Sequence, residues 1–347
     1  VRGADSNNLA MTRQSQRDIW LHQMLPPRAC QGRRLLLVPW STGMYHGVGS
    51  QVHLMGAFLG LAMLYNRTLI PLANSFDRAN HPHCQATGQQ GAWECFFFPM
   101  VSPDCEVELN RLRAQDVIGD CVTGEELGYD RAAQSEQQAV CLDPTTDVFM
   151  SYEGRVAWLW GDAYLADADV VEHGGHVAPT SADTKMVRRG QVGQAVTSRS
   201  ADLAREPYMQ RPIVSMHVRQ SDKLSEMRVL SLPAHMFLAY RLRHAMVDLR
   251  HVWLNTEAQS VINETAHYPD WHFLFATNAR QPSDSERIRE YDAAQSVAAS
   301  LASLLIAAQC DVFIGSLGSN WSRLINELRA TGGRLYSGFV AMNLGEW

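Results

Sequence analysis

Three stretches in the second half of the chain, residues 219–227, 256–259 and 315–320, converge with side chains that could grip a diphosphate. Arg219, Asp222 and Lys223 follow the apolar run Ile213-Val-Ser-Met-His-Val. A planar guanidinium that binds two oxygens at once and an ammonium point charge are a natural pair for such a group. The run Ile314-Gly-Ser-Leu-Gly-Ser-Asn320 sets Ser316, Gly318, Ser319 and Asn320 at the start of a helical pattern. There, unpaired N–H groups and the helix dipole favour an anion. Taken alone, Ser316 and Ser319 are accounted for by helix capping, and Arg219, Asp222 and Lys223 by an exposed ion-pair turn. Their convergence is what points to phosphate.

Other motifs are weaker. Gly47-x-Gly49 lacks the third glycine of a dinucleotide fingerprint, and the chain has no Gly-Lys-Ser/Thr phosphate loop. His81-Pro-His83-Cys84 could ligate a metal, but no His-Glu-x-x-His or paired Cys-x-x-Cys accompanies it, so the expected metal set is none. Trp158 and Trp160 could stack on a sugar ring, although aromatic residues at period two read more simply as strand core.

The elements that must position these groups follow from hydrophobic patterning. Residues 1–25 read as polar and irregular. Leu35-Leu-Leu-Val38 is a short apolar run typical of a buried parallel strand. A Gly-rich loop follows it, then a helix over 51–65 and a strand over 67–72, which together make one βαβ unit. Residues 74–147 read as long disulfide-held loops, and residues 163–205 as the connection between lobes. In the second lobe, strands over 213–219, 252–255, 271–276 and 312–314 alternate with helices over 233–249, 291–308 and 319–330. Alternation of this kind predicts a doubly wound parallel sheet that binds ligands outside the carboxyl ends of its strands. The expected fold class is α/β with two Rossmann-like lobes. The expected division is an extension over 1–30, an N-terminal lobe with its connection over 31–205, and a nucleotide-sugar lobe over 206–347.

Composition narrows the function classes. The chain has 347 residues, with 30 Lys+Arg against 36 Asp+Glu and a formal charge of −6. The absence of any long basic run argues against nucleic acid as a partner. The longest apolar stretch, Leu54–Tyr65, is broken by Gly56 and Gly60 and is too short for the ~20 residues of a bilayer span. Membrane attachment is therefore expected only through an anchor outside this sequence. Six of the seven cysteines fall in the first 141 residues, which suggests disulfides in the first lobe and a buried thiol at Cys310. Sequons at Asn66, Asn263 and Asn320 are compatible with a secretory-pathway glycoprotein.

With these residues in view, the sequence resembles the α1,6-fucosyltransferases, the family of core N-glycan and nodulation fucosyltransferases. His217-Val-Arg-Gln-Ser-Asp-Lys223 is similar to the family's His-Val-Arg-Arg-Thr-Asp-Lys motif. Gly47-Val-Gly-Ser-Gln-Val-His53, with Gly47, Gly49, Gln51 and His53, is similar to its Gly-Tyr-Gly-Cys-Gln-Leu-His loop, and Asn66-Arg-Thr-Leu-Ile70 to its Gln-Arg-Thr-Leu-Ile strand. Trp93 to Cys105 resembles its Trp-Glu…Pro-Val-Ser…Cys segment, and Asp311 to Arg323 its Asp-Phe-Leu-Val…Ser-Ser-Gln-Val-Cys-Arg segment. The matches run in the same order from Cys30 to about Arg329.

The resemblance implies a GT-B-like fold and inverting, metal-independent transfer of L-fucose from GDP-fucose to a hydroxyl of a glycan or glycoprotein acceptor in the Golgi lumen. It places Arg219, Ser319 and Asn320 on the β-phosphate, Lys223 beside the sugar and His217 facing the nucleotide. Glu226 becomes the acceptor-activating base if the loop is one residue short, and Cys30 pairs with Cys105. Cys84, Cys95, Cys121 and Cys141 allow three pairings. Two positions depart from the pattern. Ser303 stands where the family carries a guanine-reading Asp, and Thr256-Glu257-Ala258 stands for Thr-Asp-Asp. A hydroxyl cannot accept two N–H groups as a carboxylate does. Another nucleotide sugar therefore remains an alternative donor, and a silent glycan-binding scaffold an alternative function. The sequence shows no SH3-like module or coiled-coil stem, so acceptor choice is not carried over.

Overall fold

The structure, a computed structural model, describes residues 12–39, 48–72, 82–86, 88, 93–95, 97, 99–123, 131–143, 210–220, 229–276, 293–316, 318–332 and 338–342. The chain divides into two compact units, Leu9–Gln191 and Val192–Trp347, and each is built on a parallel sheet. The expected connection over 163–205 lies outside the described residues, as do Trp158, Trp160 and His81.

In the first unit, strands β1 (Leu35–Val38), β2 (Thr68–Pro71), β3 (Val122–Thr123) and β4 (Ala139–Asp143) form a sheet in the order β2-β1-β4-β3. All its pairings are parallel, with Leu35 opposite both Thr68 and Ala139. Every residue of β1 is buried, as a central parallel strand requires. Helix α2 (Val48–Leu64) crosses from β1 to β2. It is apolar on all sides and buried over most of its length, so it is a core helix.

Two parts of this unit differ from the sequence reading. Residues 12–23 form a helix, α1 (Thr12–Gln23), rather than an irregular extension. Its buried residues, Thr12, Ser15, Ile19 and Gln23, keep helical spacing, but three of the four are polar and leave no hydrophobic trace. Gln23 explains the arrangement: its side-chain amide donates to Leu69 O at 3.1 Å and accepts from Leu69 N at 3.1 Å. It thus pairs with edge strand β2 as another strand would, satisfying groups that an open edge leaves bare. The supposed loops of 74–147 also contain a short helix α3 (Pro82–Ala86), a helix α4 (Pro103–Ala114) and strand β4. In α4, Pro103 follows the N-cap Ser102, and Cys105, Glu108, Leu109 and Leu112 form its buried face.

Three disulfides join this unit. Cys30 pairs with Cys105, as the resemblance implies, and of the three open pairings the structure has Cys84 with Cys95 and Cys121 with Cys141. The first sits in the core beside Leu35, Leu37, Ile70, Leu109 and Leu112. Such bonds form and persist in an oxidising compartment. Arg67, wholly buried, donates Nε to Ala133 O at 2.6 Å and Nη1 to Leu35 O and Gln137 O at 3.1 and 2.9 Å, with Nη2 on Ser135. Burial lowers its pKa to about 10. It ties β1 to the segment that enters β4.

In the second unit, strands β5 (Ile213–His217), β6 (His251–Asn255), β7 (His272–Leu274), β8 (Val312–Gly315) and β9 (Phe339–Ala341) form a parallel sheet in the order β7-β6-β5-β8-β9. Helices α5 (Leu232–Ala245), α6 (Gln259–Glu264), α7 (Ala293–Gln309) and α8 (Asn320–Ala330) connect them. Strand β9 and helix α6 extend the pattern read from the sequence. The chain steps outward from β5 to β7 and then returns past β5 to β8. Helix α5 packs on one face of the sheet and α7 bonds to the other, which is a doubly wound sheet.

The two faces differ in chemistry. Val214, Met216, Val218, Val252, Leu254, Val312 and Ile314 pack with Leu232, Met236 and Ala239 of α5 in one apolar cluster. The alternate residues Ser215, His217, Trp253 and Asn255 face the other way, where His217 bonds to α8, Trp253 and Asn255 bond to α7, and Ser215 accepts from Asn255. Buried Arg329 of α8 donates to the carbonyls of Ala307, Cys310 and Asp311, fastening α8 to the end of α7. Cys310 is a buried thiol whose Sγ donates to Ile306 O at 3.4 Å. Among the described residues, no helix is long and apolar enough to cross a membrane.

Candidate functional site

In an open parallel sheet, the crevice for a ligand opens where the strand order reverses, at the carboxyl ends. Here the reversal falls between β5 and β8, which pair directly with Met216 opposite Ile314. Four sequence candidates meet at these strand ends: His217 at the end of β5 with Arg219 just beyond it, and Ser316 and Ser319 beyond β8. Asn320 opens α8 one residue later, and Gly318 is exposed between the two serines.

Ser319 is the N-cap of α8, yet its hydroxyl makes no capping hydrogen bond. Its own N–H donates to Ser316 O at 3.1 Å, and its carbonyl accepts from Arg323 N at 3.0 Å. The first-turn N–H groups are therefore not claimed by the side chain that usually claims them. The Asn320 amide oxygen accepts from the Arg323 guanidinium, which adds a cation to the same turn.

Across the reversal, Glu257 beyond β6 holds Arg219. Its Oε1 lies 3.3 Å from the guanidinium Nη1 and accepts from Gln220 N at 2.7 Å. The carboxylate fixes one edge of Arg219 and pins the backbone that follows it. Glu257, which stands for the first Asp of the family's Thr-Asp-Asp, is thus first a partner of Arg219.

His217 is buried with its Nδ1 2.7 Å from Ser322 Oγ on α8. Burial, then the charge of Arg219, then His235, lower its pKa to about 3, so the ring is neutral near pH 7. His235 of α5, also buried, contacts the His217 carbonyl through Nε2 at 3.1 Å and Ser231 O through Nδ1 at 2.9 Å. Burial lowers its pKa too, against the pull of those two carbonyls.

Ser303 is committed elsewhere. Its hydroxyl donates to Asn255 Oδ1 and accepts from Trp253 Nε1 at 3.2 Å. The Asn255 amide in turn donates to Ser215 Oγ at 3.1 Å and Met216 O at 3.2 Å. The position expected to read a base instead bonds α7 to β6.

The first-unit candidates are not in a loop. Gly49, Gln51 and His53 are buried within α2, because the apolar residues around them carry the helix back to Val48. Gly47, Asp222, Lys223 and Glu226 lie outside the described residues. Ser322 and Asn255 were not read from the sequence. The only signal for Ser322 is its place one helical turn beyond the N-cap Ser319. Among the described residues, no cluster of three His, Cys, Asp or Glu side chains that could hold a metal ion is assembled.

No protein-family model matches the sequence, and no curated protein matches it. Solved structures do resemble it. POFUT1 without ligand is 13% identical over 90% of this chain and 99% of its own, with a TM-score of 0.51. POFUT1 in complex with GDP is 15% identical with the same coverage of both chains and a TM-score of 0.50. NodZ α1,6-fucosyltransferase co-crystallised with GDP is 14% identical over 84% of this chain and 92% of its own, with a TM-score of 0.48. This chain shares the POFUT1 fold.

Proposed function

We propose that this protein is a glycosyltransferase that moves L-fucose from GDP-fucose to a hydroxyl of a glycan or glycoprotein. One observation carries the reading: Arg219, held by Glu257, and the α8 N-terminus, left uncapped by Ser319, stand at the carboxyl ends of paired strands where the sheet reverses. A guanidinium and a helix N-terminus are complementary to a diphosphate leaving group. POFUT1, whose fold the chain shares, has been crystallised with GDP, and the motif around Arg219 resembles that of the α1,6-fucosyltransferases.

In this reading the acceptor hydroxyl attacks the anomeric carbon of fucose as its bond to the β-phosphate oxygen breaks, and configuration inverts. Glu226 takes the hydroxyl proton. Arg219, Lys223, Ser319 and Asn320 stabilise the charge that gathers on GDP, so the transfer proceeds without a metal. Asp222 and Gly318 belong to the same nucleotide-binding set, and Gly47 to the acceptor-side lobe. The three disulfides support a luminal setting, which we assign to the Golgi.

A second reading, the same chemistry with another nucleotide sugar, is favoured by the commitment of Ser303 to Trp253 and Asn255. Calorimetry with GDP, UDP and ADP, paired with transfer assays over a panel of nucleotide sugars, separates the readings. GDP binding with fucose transfer is expected. A clear preference for UDP would overturn the fucose assignment, and no binding would point to a silent scaffold. Glu226→Gln should abolish transfer while GDP binding persists.

A further inference from the structure

We infer that Ser322 is a positioning residue for the donor site, tying the end of β5 to the first turn of α8 through His217 so that Arg219 and the α8 N-terminus keep one fixed spacing. The inference rests on reading this site as a nucleoside-diphosphate site. It concerns how the site is held together rather than which groups touch the ligand.

The tie joins two residues that stand 105 positions apart in the sequence. His217 ends β5, two residues before Arg219. Ser322 lies three residues into α8, after Ser319 and Asn320. The 2.7 Å contact between Nδ1 and Oγ joins side chains that are 5% and 0% exposed. Without water to replace a lost partner, such a contact is costly to break. A change in either residue is therefore felt by the other.

Gly315 makes the approach possible. A Cβ added there would stand 2.9 Å from Ser322 Oγ and 2.6 Å from the Phe313 ring. Real Cβ atoms do not come so close, so a side chain at 315 would drive the hydroxyl or the ring away. The glycine at the end of β8 thus clears the path by which α8 reaches β5.

The tie also sets the imidazole. Neutral His217 has one N–H, and Ser322 Oγ can either give a proton to Nδ1 or receive one from it. Whichever it does fixes the tautomer, and so decides whether Nε2 is a donor or an acceptor. Burial keeps the ring neutral at ordinary pH, so the tie does not depend on ionisation.

The test compares full-length wild type with Ser322→Ala and Ser322→Cys, the second keeping a weak donor of similar size. Calorimetry with GDP and imidazole ¹⁵N shifts of His217 are the readouts, with thermal melting as the control for folding. Ser322→Ala is expected to weaken GDP binding by about tenfold, one factor of ten being ~1.4 kcal/mol, and to replace a single His217 tautomer by a mixture. Ser322→Cys should recover part of the affinity. Gly315→Ala should weaken GDP binding as Ser322→Ala does, by a different route. If wild type binds GDP and Ser322→Ala binds it equally well, or only melts earlier, the positioning role is overturned while the nucleotide site stands. If Ser322→Ala does not fold, Ser322→Cys decides: GDP affinity below wild type together with mixed His217 tautomers supports the tie, and wild-type affinity with a single tautomer, or a wild-type His217 that is itself a mixture, overturns it. If wild type does not bind GDP, the nucleotide reading itself falls.

Discussion

The two lobes solve the same architectural problem by different means. Both are parallel sheets with helical crossovers. The first closes its structure with three disulfides and with Arg67 bonded to a ring of backbone carbonyls. The second contains a single cysteine, Cys310, and so no internal disulfide. It joins sheet to helices through an apolar face on α5 and hydrogen bonds on the opposite face to α7 and α8. Covalent links limit the unfolded chain whatever its side chains do, which suits a lobe with many short elements. Hydrogen bonds specify geometry, which suits the lobe that presents charged groups at its strand ends.

The largest expected effect separates the lobes by stability. Replacing Cys30 and Cys105 together by Ser opens a link across 75 residues and, on chain entropy alone, should cost about 4 kcal/mol. Thermal melting should show this loss, while protein kept below its transition still binds GDP. Lost GDP binding in folded protein would mean that the lobes are not separable in this way.

Arg219→Lys should do the reverse. A point charge replaces a bidentate grip, and a loss of about 2 to 4 kcal/mol in the transition state corresponds to roughly 10²- to 10³-fold in rate. Melting should change little. Near-normal turnover would return Arg219 to a surface turn whose partner is Glu257.

Ser303→Ala sharpens the contrast within the second lobe. Removing a hydroxyl that bonds both Trp253 and Asn255 should lower stability by about 1 kcal/mol and leave the order of GDP, UDP and ADP affinities unchanged. A changed order in calorimetry would make Ser303 a reader of the base.

At neutral pH the smallest effect belongs to His217, because its contribution changes only on acidification. His217 has an ordinary value of 6.5 when unfolded and about 3 when folded. Between those values the unfolded chain binds the extra proton, so stability is complete above about 6.5 and falls as pH drops toward 3. His217→Gln should flatten that part of the stability–pH curve measured by denaturant unfolding. His22, His235 and His251 are also lowered by burial and should leave a residual slope. An unchanged curve would mean that His217 is not buried as a neutral ring.

Much of the second lobe was legible because its strands are continuous apolar runs and its helices keep apolar periodicity, as Leu301 and Leu304 do in α7. α1 was not, because the residues it buries are mostly polar and their partners, such as Leu69 for Gln23, lie 46 positions away. β4 was missed because five residues at the end of a Cys- and Gln-rich stretch carry too little pattern to stand out. The residue types for gripping an anion could likewise be read at 219, 316, 319 and 320, since strand alternation already brings those loops to one edge of a sheet.

By itself, then, the sequence determined the α/β class, the alternating elements of the second lobe and the chemical character of its strand-end loops. Those depend on local periodicity and on what each side chain can donate or accept. Tertiary structure alone decided that Glu257 holds Arg219, that Ser303 is spent on Trp253 and Asn255, that His217 meets Ser322, and how the four cysteines beyond Cys30 and Cys105 pair. Each is a contact between residues distant in sequence, and only the register of a folded sheet and the packing of its helices bring those atoms within hydrogen-bond or bonding distance.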